Sequence, residues 1–144
     1  RGLTAILYEP PRRPSEVTAE QRAILDADWE WVETRYGDGS EAKPTDPARY
    51  RVRFAADGAL VIRADCNRAG GTYRITGSSL AFGPLHSTMA ACGADSLAPD
   101  FLRDLQAAAV LFLRQGELFL DLPFDTGTMR LRRAASAGSD EESR

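Results

Sequence analysis

The chain has 144 residues, 43% of them apolar and 27% charged, with a formal net charge of −3. A chain of this size buries about two-thirds of its unfolded surface, which suits one domain with a core and leaves no room for two large ones. The longest apolar run, Ala107 to Leu113, is far too short to span a bilayer. The acidic balance argues against nucleic acid as a partner.

Residues 1–26 read as an extension packed on the main domain, with an apolar Leu3–Tyr8 stretch, a proline-rich break, and a short helix that Thr18 can cap. Trp29 and Trp31 alternate with Glu30, as in a strand with one face buried. Tyr50, Val52 and Phe54 share one face of the next strand, and Asp57-Gly58 turns the chain into a return strand with Leu60, Ile62 and Ala64 inward. Gly70-Gly71 suggests a break or sharp bend before Tyr73 and Ile75. Gly77-Ser78 then turns into a strand carrying Leu80 and Phe82.

The period changes after Pro99. Phe101, Leu105, Ala109 and Phe112 fall on one stripe of a helix expected over Ala98–Leu113, with Asp95 or Ser96 as its cap and Gly116 after its end. Leu118, Leu120 and Leu122 alternate in the next strand. Asp125-Thr126-Gly127 turns, and Met129 and Leu131 alternate in the last strand. One helix cannot cover six or seven strands unless the sheet curls. The expected class is therefore mainly β (α+β): a small, partly open antiparallel barrel over 27–133 with one amphipathic helix against it. Residues 134–144 hold no large apolar side chain and read as a disordered acidic tail.

Chemistry-bearing residues are few. Cys66, His86 and Cys92 are the soft metal ligands, but three at this spacing fall short of a four-ligand structural zinc site. A Cys–His nucleophile pair needs a thiolate-stabilising environment that sequence alone does not display, and His86 reads as a loop histidine. Gly70-Gly71 lacks the lysine and the strand–loop–helix setting of a phosphate loop. Arg130, Arg132 and Arg133 form a small basic patch or, more simply, a solvated strand face. No catalytic residue, cofactor site or metal site is assigned. On the residues alone, Cys66 and Cys92 are either a disulfide closing a loop of about 27 residues or two buried thiols.

The segment Asp65-Cys66-Asn67-Arg68-Ala69-Gly70-Gly71-Thr72-Tyr73 resembles the C-N-R-x-x-G-x-Y segment of the META domain, the HslJ-like family of bacterial envelope proteins. Thr88-Met89-Ala90-Ala91-Cys92 is similar to that family's T-R-M-x-C segment, although Met89 follows Thr88 directly. The resemblance implies a small barrel with a helix, on the periplasmic or extracellular face of the cell envelope. There a Cys66–Cys92 disulfide persists, and Asn67, Arg68, Gly71, Tyr73, Thr88 and Met89 are structural motif residues. The family is associated with stress response, antibiotic tolerance and virulence, often as lipoproteins, and offers no catalytic residues to transfer. A lipid anchor on a removed leader fits such a protein.

Three functions follow as expectations. The first is a non-enzymatic, monomeric envelope module acting through a protein partner. The second is a carrier of a small apolar ligand or lipid in a barrel groove lined by Phe82, Leu118 and Leu120. The third is a thiol enzyme using Cys66 or Cys92.

Overall fold

The computed structural model describes residues 19–134. The Leu3–Tyr8 stretch, the Thr18 cap and the tail beyond Ala134 lie outside them. The order is α1 (Ala19–Ile24), β1 (Asp28–Tyr36), β2 (Glu41–Ala42), β3 (Tyr50–Phe54), β4 (Ala59–Ala64), β5 (Asn67–Thr76), β6 (Ser79–Phe82), β7 (His86–Ser87), α2 (Ala98–Ala107), β8 (Val110–Arg114), β9 (Glu117–Asp121) and β10 (Gly127–Arg133).

Eight strands close an antiparallel ring in the order β1-β3-β4-β5-β6-β8-β9-β10, because β10 pairs back onto β1. Closure removes the exposed edges that a partly open barrel would have kept. The thinnest join is β6–β8, where Ser79 faces Val110 and Leu80 N donates to Ala109 O at 2.9 Å.

Alternation sends Trp29, Trp31, Val52, Phe54, Leu60, Ile62, Leu118, Leu120, Met129 and Leu131 inward, each at most 2% exposed. A bulge at Val32 shifts the register of β1 against β10. Beyond it Thr34 is buried within, and its hydroxyl accepts the Trp31 indole N–H at 2.9 Å. Helix α1 closes one end: Ile24 O accepts from Trp29 Nε1 at 3.0 Å and the Glu20 carboxylate accepts Leu113 N at 2.8 Å. Helix α2 closes the other, with Phe101 stacked on Trp31 at 5.1 Å and edge-on to Tyr50 at 5.8 Å.

The helix is shorter than its spacing predicts. It ends at Ala107, Ala108 is already extended, and Val110–Arg114 is a strand paired with β9. Phe101 and Leu105 do face the barrel at 0% exposure, whereas Phe112 lies on β8 and stacks on Phe119 at 5.4 Å. Gly116 does not end the helix; with Gln115 it makes the β8–β9 turn, both at positive φ (81° and 53°). The uninterrupted apolar run serves both periods equally, and pairing with β9 decides in favour of a strand.

Gly70-Gly71 is also not a break. β5 runs through it, paired with β4 from Asn67 to Thr72. A Cβ on Gly71 would sit 2.6 Å from Pro84 O and from Leu85, so the glycine admits the 83–85 segment against the sheet.

Candidate functional site

The β4–β5 hairpin turns at Asp65-Cys66, with Asp65 in the left-handed region (φ 60°). Its buried carboxylate meets Arg49 at 2.6 Å. Cys66 is disulfide-bonded to Cys92, with Cα atoms 5.5 Å apart.

The next residue organises the facing loop. The buried Asn67 amide donates to Ala90 O at 3.0 Å and lies 3.3 Å from Cys92 Sγ. Its oxygen accepts from Ala90 N and Thr88 Oγ1, both at 2.8 Å. The Thr88 hydroxyl in turn accepts Arg68 N at 3.0 Å, and Thr88 N donates to Arg68 O at 3.0 Å. An Asn fits here because it alone offers two donors and an acceptor on one short side chain. The two motif segments, about twenty residues apart in sequence, are thus one scaffold.

That scaffold and the start of α2 enclose an apolar surface groove of about 490 Å³, lined among others by Asn67, Met89, Cys92, Pro99 and Leu102. Met89 stands at its rim, 87% exposed. Ser96 Oγ accepts Ala98 N at 3.1 Å and so holds the α2 start, although the capping position proper is Leu97.

Behind the groove, α2 is tied down by polar groups. Asp104 is buried and accepts the Tyr36 hydroxyl at 2.5 Å, while Arg103 reaches Asp104 at 3.1 Å, Asp100 at 3.1 Å and the Tyr36 oxygen at 2.9 Å. Burial first, then the Asp104 carboxylate, push the Tyr36 phenol up to about 12 against the opposing Arg103. The phenol therefore keeps its proton at neutral pH and acts as a donor. This cluster was missed in sequence, although an acid three residues after Phe101 on a buried stripe is a readable signal.

The other weighed residues separate. Gly71 admits the 83–85 segment, and Tyr73 packs edge-on to Phe54 at 5.1 Å with its hydroxyl donating to Ala55 O. His86 is exposed on β7 opposite Gly70, away from any thiolate, since both cysteine sulfurs are in the disulfide. Among the described residues no three His, Cys, Asp or Glu side chains converge to hold a metal. On the basic strand face, Arg130 and Arg132 are neutralised by carboxylates and Arg133 is held by an aromatic ring. Arg130 meets Glu33 at 3.1 Å and Glu117 at 3.0 Å, Arg132 meets Glu30 at 3.1 Å, and Arg133 lies over the Trp29 ring at 4.7 Å. Leu118 and Leu120 line no groove; they fill the interior at 0% exposure. Among the described residues no helix is long and apolar enough to cross a membrane.

Comparison with known proteins agrees with the motif geometry. No curated protein matches the chain. A solved structure from Burkholderia xenovorans is similar over 90% of this chain and 93% of its own, with a TM-score of 0.64 and 17% identity. A DUF4847 family protein from Bacteroides vulgatus is similar over 78% of this chain and 95% of its own, with a TM-score of 0.57 and 12% identity. These likenesses establish the barrel fold. The META domain matches residues 22–136, the span that contains the ring, α2 and the disulfide-linked motifs, and the chain belongs to the META domain family.

Proposed function

We propose that the protein is a non-enzymatic cell-envelope module, stress-associated like the HslJ-like proteins its motifs resemble, that acts by docking a protein partner on the groove between the 88–96 loop and α2. The supporting observation is where the apolar surface lies. The barrel interior is filled by side chains at or near 0% exposure, while an apolar groove with an exposed methionine sits outside on a disulfide-braced loop. Exposed apolar surface of this kind marks interaction sites, and methionine adapts to a partner's shape. A disulfide fits the periplasmic or extracellular face of the envelope. The 27–133 unit carries this function, and it needs neither cofactor nor metal.

A photo-reactive residue placed at Met89 in intact cells tests this, with one at the exposed Arg74 on β5 as the control. One protein adduct at Met89, absent at Arg74 and lost with Leu102→Asp, is the expected result. Equal adducts at both positions would refute it. The groove's volume of about 490 Å³ favours a second reading, a small apolar ligand bound there. Saturable quenching of an apolar fluorescent probe, abolished by Leu102→Asp in the absence of any protein adduct, would select that reading.

A further inference from the structure

Arg68 belongs to the Asn67–Tyr73 motif, yet only its backbone joins the loop scaffold; its side chain is exposed. Strand register places it in a row of like charges. Arg51 on β3 faces Arg63 on β4, and Arg63 faces Arg68 on β5. Alternation turns all three to the outer face, with side chains at neighbouring positions about 5 Å apart. The next position along β4, Val61, is 54% exposed beside them. Together with Arg53 and Asp28 these residues line a surface depression of about 220 Å³.

The charges in this row are unevenly neutralised. Arg51 meets Glu30 at 3.3 Å and Asp28 at 3.8 Å, and Arg53 meets Asp28 at 2.9 Å. Arg63 donates through Nε to the backbone carbonyl of Asp65 at 3.2 Å. Among the described residues, neither Arg63 nor Arg68 has a carboxylate within 4.0 Å. Like charges directly opposite each other destabilise an antiparallel pair. This protein has acids to spare, and elsewhere on the barrel it pairs Arg130 and Arg132 with Glu33, Glu117 and Glu30. The Arg63–Arg68 pair has no such carboxylate although the two face each other directly, and its position is fixed: the bond to Asp65 O holds one guanidinium, and the disulfide and Asn67 brace the hairpin that carries both.

We propose that Arg63 and Arg68 bind one phosphate-class oxyanion on the outer face of β3–β5, with Arg51 at its margin and Val61 contacting the group that bears it. Planar guanidinium forks match the oxygens of such an anion. Asp28 and Glu30 already pair with Arg51 and Arg53, so the unpaired charge of the row is confined to Arg63 and Arg68, which suits a single phosphate and not an extended polyanion. The phosphate is either free in solution or the headgroup of a lipid, and the two sources are separable.

The test follows the arginine Nε–H resonances during titration with inorganic phosphate, against sodium chloride at matched ionic strength. Arg63 and Arg68 are expected to shift saturably with phosphate alone, and Arg74 to stay put. Arg63→Gln and Arg68→Gln should each weaken phosphate binding about tenfold or more, the loss of a charge-assisted hydrogen bond, while Arg74→Gln leaves it unchanged. Without phosphate, Arg68→Gln should melt at or above the parent temperature, because a like-charge neighbour is gone. Retention on phosphatidylglycerol vesicles but not phosphatidylcholine vesicles, lost in Arg68→Gln, assigns the phosphate to a lipid. A phosphate response without vesicle retention assigns it to a soluble phosphate. Equal shifts with phosphate and chloride, unaltered binding in both glutamine variants, or a lowered melting temperature for Arg68→Gln would each overturn the proposal.

Discussion

Removing the Cys66–Cys92 link, by reduction or as Cys66→Ser/Cys92→Ser, separates what the disulfide does to the native loop from what it does to the denatured chain. The bond spans 26 residues, for which loop-closure entropy gives about 3.5 kcal/mol of stabilisation. The native cost should be small. Asn67 still bonds Ala90 and Thr88, and Thr88 still bridges to Arg68, so residues 88–90 stay on the sheet without the sulfurs. The loss therefore appears as a freer denatured state, and the melting temperature falls by about 10–15 °C for a domain of this size. Guanidinium unfolding read by Trp29 and Trp31 fluorescence, both rings being fully buried, measures the change. The slope of free energy against denaturant should rise, because an unlinked chain exposes more surface on unfolding. A loss below about 1 kcal/mol with an unchanged slope would refute the entropic account. Two reactive thiols in freshly purified, unreduced protein would refute the link itself.

Leu105→Ala should cost about 2–5 kcal/mol as a cavity under α2, whereas Phe112→Ala, on the outer face of β8, should cost about 0.5–1.5 kcal/mol beyond its lost area through the Phe119 stack; equal denaturation midpoints would contradict the helix boundary. Asn67→Ala should cost about 2–3 kcal/mol, the sum of its hydrogen bonds at roughly 1 kcal/mol each, and should speed amide exchange across 88–92 while leaving β9–β10 protected. Tyr36 and Tyr73 are both raised from 10 to about 12, chiefly by burial. The folded state thus holds protons that the unfolded chain releases, so stability is intact below pH 10 and is lost as pH rises toward 12. Tyr36→Phe should flatten part of that alkaline decline in a pH series of thermal melts.

The sequence by itself determined every element whose signal is local. Tyr50-Val52-Phe54, Leu60-Ile62-Ala64, Leu118-Leu120 and Met129-Leu131 alternate because one face of a barrel wall is core, and they are buried as their spacing requires. Asp57-Gly58 and Gly77-Ser78 turn because glycine tolerates positive φ there, at 97° and 63°. The two motif segments carried the family because Asn67 and Thr88 make one hydrogen-bonded unit. The rest depended on partners distant in the chain. Ala107–Leu113 satisfies helical and strand periods alike, and only the ladder with β9 ends the helix at Ala107. Ring closure through β10 and β1 joins residues about a hundred positions apart, a pairing no local pattern encodes. Gly71 looked like a break because sequence shows the missing side chain but not Pro84 and Leu85 pressed against it. The groove, the Tyr36–Asp104 tie and the Arg51–Arg63–Arg68 row exist only once register and helix docking are fixed, because each consists of side chains brought together by different strands or by strand and helix.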